Sequence, residues 1–239
     1  MTKEVIAFLP CRQGSERVKE KNVRPFADIA GGLTQIKLQQ LIRCAGIDRI
    51  VVSTDDPKVI DIARSCAQST EKNITILERP THLCLSTTSM DDFISYIPSI
   101  IPEGILLWVH VTEPFADEMV YQSAVQAYQQ HVEMGEYDSL LSVTPIQTFL
   151  WDKQGPLNYD PEQQKWPRSQ DLPIYYEINC AVFMISIAGI VQHNDRVGQA
   201  PYLFPLEFPA TVDIDTPQDF ALAQSLWRAG IQDGLGGLE

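Results

Sequence analysis

The chain is poor in cysteine and in basic charge, and it has no apolar run long enough to cross a bilayer. Its five cysteines, Cys11, Cys44, Cys66, Cys84 and Cys180, are odd in number and far apart. None forms a C-x-x-C pair or lies near a histidine at zinc-ligand spacing, which excludes a disulfide framework and a zinc site and leaves reduced thiols as the expectation. Lysine and arginine number 18 against 31 acidic residues, a net charge of −13. Such a surface repels polyanions over most of its area, so neither nucleic acid nor an anionic membrane is expected as a partner. No segment approaches the roughly 20 apolar residues of a membrane span, and the amino terminus lacks the basic-then-apolar pattern of an export signal. A soluble, cytoplasmic protein is therefore expected. Internal repeats and low-complexity tracts are absent as well.

What is present reads as one α/β domain over residues 1–239. With 44% hydrophobic residues the chain can bury one substantial core. Residues 5–9 are apolar strand formers, and residues 33–45 place Leu33, Ile36, Leu38, Leu41 and Ile42 near helical spacing before Gly46. Strands follow at 50–53, 74–77, 105–109, 139–143 and 181–185, and helices at 58–66, from the Ser86–Ser89 cap region through Tyr96, at 117–131 and at 216–227. This alternation predicts a doubly wound, mostly parallel sheet, a Rossmann-like architecture. Residues 144–178 break the pattern with Pro145, Pro156, Pro161, Pro167 and Pro173. So long an irregular insert predicts an arm that reaches a neighbouring subunit or covers a substrate. Residues 232–239 carry three glycines and are expected to fray.

The densest chemistry lies in residues 9–22, directly after the first strand, where ligand loops of parallel sheets belong. Gly14 permits close backbone approach, Ser15 adds a hydroxyl, and Arg12, Arg17, Lys19 and Lys21 supply cations suited to phosphate oxygens. Asn22 is placed to reach a base or ribose. In an acidic chain this basic turn reads as a nucleotide cradle rather than a solvated loop. Cys11 inside it reads as a small packing residue. A second concentration spans residues 211–220. If this stretch is a strand, Asp213 and Asp215 face one side and make a hard-oxygen site for magnesium beside substrate phosphates. Thr216 and Pro217 then start the last helix, with Asp219 as ordinary capping chemistry.

These residues resemble the acylneuraminate cytidylyltransferases, the family of the CMP-sialic acid synthetases. The family's A-R-x-G-S-K-R-(I/L)-x-x-K-N loop is matched by Arg12, Gly14, Ser15, Arg17, Lys21 and Asn22, with Cys11 for alanine and Glu16 for lysine; Glu16 is expected to point away from the phosphates. The family's D-I-D-T-x-x-D-F is matched by Asp213, Ile214, Asp215, Thr216, Asp219 and Phe220. Ser53-Thr54-Asp55-Asp56 and Arg79-Pro80 match shorter segments. Ser86 stands for an aspartate, His110 for a glutamine, Ala116 for an arginine and Cys180 for a glycine.

The resemblance implies transfer of CMP from CTP to the anomeric hydroxyl of a 2-keto-3-deoxy sugar acid, with pyrophosphate released, by a homodimer built through the arm, for nucleotide-sugar and cell-surface polysaccharide synthesis. It implies Arg12, Lys21 and Asp215 as catalytic residues. The nucleotide falls to Arg12, Gly14, Ser15, Lys21, Asn22, Arg79, Ser86 and Thr87, and magnesium to Asp213 and Asp215. The acceptor falls to His110, Thr112, Arg168, Gln170 and Asn179. Sialic, legionaminic, pseudaminic and octulosonic acids all remain open as acceptors. A nucleotidyltransferase of sugar phosphates is the nearest alternative, but its G-x-G-x-R loop is absent. A metal-dependent glycosyltransferase normally carries its D-x-D mid-chain, and a nucleotide-binding regulator would lack the aspartates.

Overall fold

The computed structural model describes residues 3–231; the glycine-rich end at 232–239 lies outside the described residues. Seven strands form one sheet: β1 (Val5–Cys11), β2 (Arg49–Thr54), β3 (Asn73–Glu78), β4 (Ile105–Trp108), β5 (Ser139–Ile146), β6 (Tyr175–Ser186) and β7 (Pro201–Pro205). Their order is β3-β2-β1-β4-β6-β5-β7. Every pairing is parallel except the two made by β6, which runs against β4 and β5.

Alternation along β1 shows how the sheet is covered. Val5, Ala7, Leu9 and Cys11 face the core shared with α1 (Gly32–Arg43), α2 (Pro57–Ala67), α4 (Glu118–Ala127) and α6 (Pro217–Arg228). Ile6 and Phe8 face the other core, with α3 (Met90–Ile100) and α5 (Ile187–His193). Residues buried on both faces of parallel strands must read as unbroken apolar runs, which is why these strands were visible. The helix starts follow their caps: Asp56, Ser89, Asp117 and Thr216 each accept a backbone N–H of the first turn.

Three expectations are corrected. Residues 211–215 form no strand but a loop running from the Pro209–Val212 turn to the Thr216 cap. The helix expected over 117–131 ends at Ala127, and residues 128–132 widen into a π turn. Residues 144–178 are irregular only in their middle. Thr144, Pro145 and Ile146 pair with Glu177, Tyr176 and Tyr175, so β5 and β6 project from the sheet as a two-stranded ribbon. Beyond it Phe149 packs edge-on to Tyr159 and Trp166, at 5.3 and 5.6 Å between ring centroids. Strand β7 escaped notice because prolines bound it at both ends, which marks an edge rather than a central strand.

Candidate active site

The carboxyl ends of β1 and β2 carry the first half of the site. Pro10 and Cys11 pair with Ser53 and Thr54, and Thr54 Oγ1 donates to the Cys11 carbonyl at 2.6 Å. Gln13 N donates to Asp55 Oδ1 at 2.7 Å, and Asn22 Nδ2 donates to the Arg12 carbonyl at 3.1 Å. The turn is thus clasped from both ends before any ligand arrives. Gly14 sits at φ +81° with open space where a Cβ would stand, a conformation that favours glycine and leaves its backbone reachable. Asn22, expected on the nucleotide, closes the turn. Cys11 is buried, and burial pushes its thiol up to about 12, which fits packing rather than reactivity.

The far end of the chain supplies the second half. Lys21 Nζ donates to the Ile214 carbonyl at 2.7 Å and lies 3.6 Å from Asp215 Oδ1, while Arg17 Nη1 is 2.9 Å from Asp215 Oδ2. The basic turn and the aspartates therefore meet, although 193 residues separate Lys21 from Ile214. Ile214 is fully buried and its N–H donates to the Thr112 carbonyl at 3.0 Å, so the loop presents Asp213 and Asp215 on either side of an apolar anchor. Asp219 accepts from the backbone N–H groups of Asp215 and Thr216 at 3.1 and 2.7 Å and completes a capping box with Thr216. Burial and the neighbouring Asp215 charge raise the Asp213 carboxyl.

Two cavities meet at Arg12. The smaller, about 190 Å³, is lined by Arg12, Ser15, Glu16, Arg17, Lys21 and Asp215, among others. Glu16, expected to point away, is one of its walls. The larger, about 340 Å³, is lined by Arg12, Arg79, Ser86, Thr88, Trp108 and His110, among others. Thr87 lines neither cavity. Arg79 is buried and, among the described residues, not ion-paired: its guanidinium donates to the Ser53 carbonyl at 2.9 Å and stacks 4.2 Å from the Phe93 ring centroid.

On the acceptor side the expected residues are mostly committed elsewhere. His110 Nε2 accepts from Trp108 Nε1 at 3.0 Å and its Nδ1 faces the Cys180 carbonyl at 2.9 Å. This pattern requires the neutral Nδ1–H tautomer, and burial lowers its pKa to about 4. Asn179 sits in the bulge where β6 slips against β5 between Leu141 and Val143. Its Oδ1 accepts from Ser142 Oγ at 2.6 Å and Ala181 N at 3.3 Å, and its Nδ2 donates to Thr144 Oγ1 at 3.2 Å. Cys180, in the same bulge, has φ +61°. Arg168 makes an exposed two-point pair with Asp171 at 2.8 and 2.9 Å, and Gln170 lies exposed beside it. Neither Arg168 nor Gln170 lines either cavity.

Two buried charges escaped sequence reasoning. Lys37 on α1 donates to the Glu113 and Ala116 carbonyls at 2.8 and 2.7 Å and to Tyr121 Oη at 2.5 Å. It pins the loop whose Thr112 receives Ile214. Glu113 accepts from Thr112 Oγ1 at 3.0 Å, and burial raises its carboxyl while lowering the Lys37 ammonium. A lysine inside an amphipathic helix pattern gives no signal that it points inward.

A cytidylyltransferase family model matches residues 6–228, and the chain belongs to that family. It is 26% identical over 231 residues to the N-acylneuraminate cytidylyltransferase of Escherichia coli O18:K1:H7, covering 93% of this chain and 52% of that protein. The chain thus spans about half the length of that relative. It is 26% identical over 244 residues to the CMP-N,N'-diacetyllegionaminic acid synthase of Legionella pneumophila, covering 93% and 95% of the two. The pseudaminic acid cytidylyltransferase of Campylobacter jejuni strain 81-176 is 22% identical over 230 residues, covering 93% and 96%. Among solved structures, a CMP:2-keto-3-deoxy-manno-octonic acid synthetase complexed with CTP superposes with a TM-score of 0.65 at 13% identity, covering 95% of this chain and 99% of that one. A 4-diphosphocytidyl-2C-methyl-D-erythritol synthase from Anaerococcus prevotii gives 0.64 at 15%, covering 95% and 96%.

Proposed function

We propose that this member of the cytidylyltransferase family transfers CMP from CTP to the anomeric hydroxyl of a nine- or eight-carbon ulosonic acid. The observation that carries the reading is the meeting of Arg17 and Lys21 with Asp215 at the mouth of a cavity that Arg12 shares with a larger pocket. The larger pocket suits a base and ribose, and the smaller one a triphosphate tail. The acceptor hydroxyl attacks the α-phosphorus, the new C–O–P link forms as the bond to the β-phosphate breaks, and pyrophosphate leaves. Arg12 spans the two cavities and orients the α-phosphate. Lys21, held by the Ile214 carbonyl, and Arg17, whose side chain is 67% exposed and free to turn from Asp215, take up charge on the departing pyrophosphate.

Asp213 and Asp215 fit a divalent cation. They are oxygen donors held close enough for one carboxylate to raise the other, and magnesium favours one or two carboxylates completed by phosphate and water. Among the described residues no cluster of three ligating side chains offers a more enclosed alternative. Bound there, magnesium would neutralise phosphate charge and ease loss of the acceptor's proton. The arm carries Trp151, Trp166, Tyr176 and Ile178 exposed, which supports a homodimer formed through it.

The test is pyrophosphate release with each of four nucleoside triphosphates against sialic, legionaminic, pseudaminic and octulosonic acids, with and without magnesium. Release is expected with CTP, magnesium and at least one of these acids. Release with sugar phosphates alone would overturn the reading.

A further inference from the structure

Helix α1 is fastened to both halves of the site. In its first turn Thr34 donates its backbone N–H and its hydroxyl to the Asn22 carbonyl at 2.9 and 2.8 Å, which ties down the end of the basic turn. Three residues on, the Lys37 ammonium is fully buried, and its partners are the Glu113 carbonyl, the Ala116 carbonyl and Tyr121 Oη. An ammonium has three protons to donate, and here each meets an oxygen of the β4–α4 connection or of α4 rather than a carboxylate. Gln40, three residues further along the same helix, donates to the Pro114 carbonyl at 2.6 Å. Residues 113–116 therefore hang on one helix by three of their carbonyls.

That connection in turn carries the aspartates. The Thr112 carbonyl accepts from Ile214 N at 3.0 Å, and on the other side Lys21 Nζ donates to the Ile214 carbonyl at 2.7 Å. The residue between Asp213 and Asp215 is thus gripped by the loop that α1 holds at Lys37 and by the basic turn that α1 holds at Thr34. Positions 34 and 37 are about 4.5 Å apart along a rigid helix axis, so the spacing of the two halves is set by α1. A buried ammonium is a costly brace. A methionine of the same length would fill the space without losing hydration, yet it could not hold three oxygens at once. Resting on the cytidylyltransferase reading above, we infer that Lys37 is a positioning residue of the reaction: through residues 112–116 it fixes Asp213 and Asp215 against the basic turn so that one divalent cation can serve both carboxylates and the triphosphate.

The experiment compares wild type, Lys37→Met and Ile190→Ala, the last a trim of the buried α5 side chain on the opposite face of the sheet that controls for lost stability alone. Three quantities are read: melting temperature, kcat with the best ulosonic acid at saturating magnesium, and the affinity of the CTP complex for Mn2+, followed by the electron paramagnetic resonance signal of free Mn2+. Lys37→Met is expected to lower kcat roughly 10- to 100-fold, the scale of a small misplacement of reacting groups, and to weaken Mn2+ binding about 10-fold, while CTP binding measured without metal stays within about twofold, since Thr34 still holds the basic turn. Ile190→Ala is expected to lose melting temperature and keep both other quantities. A Lys37→Met enzyme that behaves like Ile190→Ala, or that loses turnover at unchanged Mn2+ affinity, would overturn the assignment and leave the proposed function standing. A wild type that turns over no ulosonic acid overturns the function itself. If Lys37→Met does not fold, Tyr121→Phe, which removes one of the three oxygens and keeps the ring, is expected to weaken Mn2+ binding in the same direction, and an unchanged affinity would overturn the assignment.

Discussion

The turn after β1 lines both cavities and the bulge of β6 touches the larger one only through His110, and the two hold their polar residues in opposite ways. In the turn, the Asp55 and Asn22 side chains clasp backbone groups, Gln13 N and the Arg12 carbonyl, and the cations of Arg12, Arg17 and Lys21 face a cavity. In the bulge, side chains are fastened mostly to other side chains. Asn179 joins Ser142, Thr144 and Ala181, and His110 bridges Trp108 to Cys180. One region turns its charged groups toward a cavity and the other spends its polar groups on shape. A residue type that matches a binding motif can therefore serve either purpose, and only its partners tell which.

The difference predicts opposite responses to mutation. Asp215→Ala should show the largest effect: turnover falls by about 10²–10³-fold or more, while the melting temperature moves little, since Asp215 and its Arg17 partner are half to two-thirds exposed and such pairs contribute at most about 1 kcal/mol. Pyrophosphate release and thermal denaturation on the same sample check this, and normal turnover would end the assignment of Asp215. Asn179→Ala should do the reverse in kind. It leaves the Ser142 hydroxyl proton and the Ala181 N–H without their acceptor in a buried bulge, while Ser142 Oγ still accepts from Val182 N, which costs about 2–3 kcal/mol and lowers the melting temperature by roughly 5–10 °C for a domain of this size. Loss of acceptor affinity at unchanged stability would instead place Asn179 among the ligand-binding groups and erase the contrast.

The smallest effect belongs to Cys180. A non-glycine residue at φ +61° pays about 1 kcal/mol or more in strain, partly offset in a glycine variant by the greater freedom of its unfolded chain. Cys180→Gly is expected to gain about 0.5–1 kcal/mol, read as a melting temperature higher by a few degrees. A loss of stability would mean that the thiol's packing outweighs the backbone conformation.

Legibility followed the same division. The strands β1, β2 and β4 were readable because burial on both faces demands uninterrupted apolar runs, the half-buried β3 because Ile74, Ile76 and Leu77 are strand formers, and the starts of α2, α3, α4 and α6 because capping is local. The basic turn after β1 stood out because its cations sit within a few residues of one another. Residues 211–215 misled because alternation around the buried Ile214 imitates a strand, although the hydrogen bonds go to Thr112 and to the Lys21 ammonium rather than to a neighbouring strand. Lys37 and Glu113 were invisible because a buried charge is defined by what surrounds it.

By itself the amino-acid order determined the layered α/β plan, the place of the basic turn at a strand's carboxyl end and the apolar residue Ile214 between Asp213 and Asp215, since each depends on periodicity or on neighbours in the chain. The tertiary structure alone decided that Lys21 would meet Ile214 and that Asn179 and His110 would be consumed in holding β6 to its neighbours. Those outcomes depend on which distant groups compete for the same donors and acceptors, and that competition exists only once the sheet has closed.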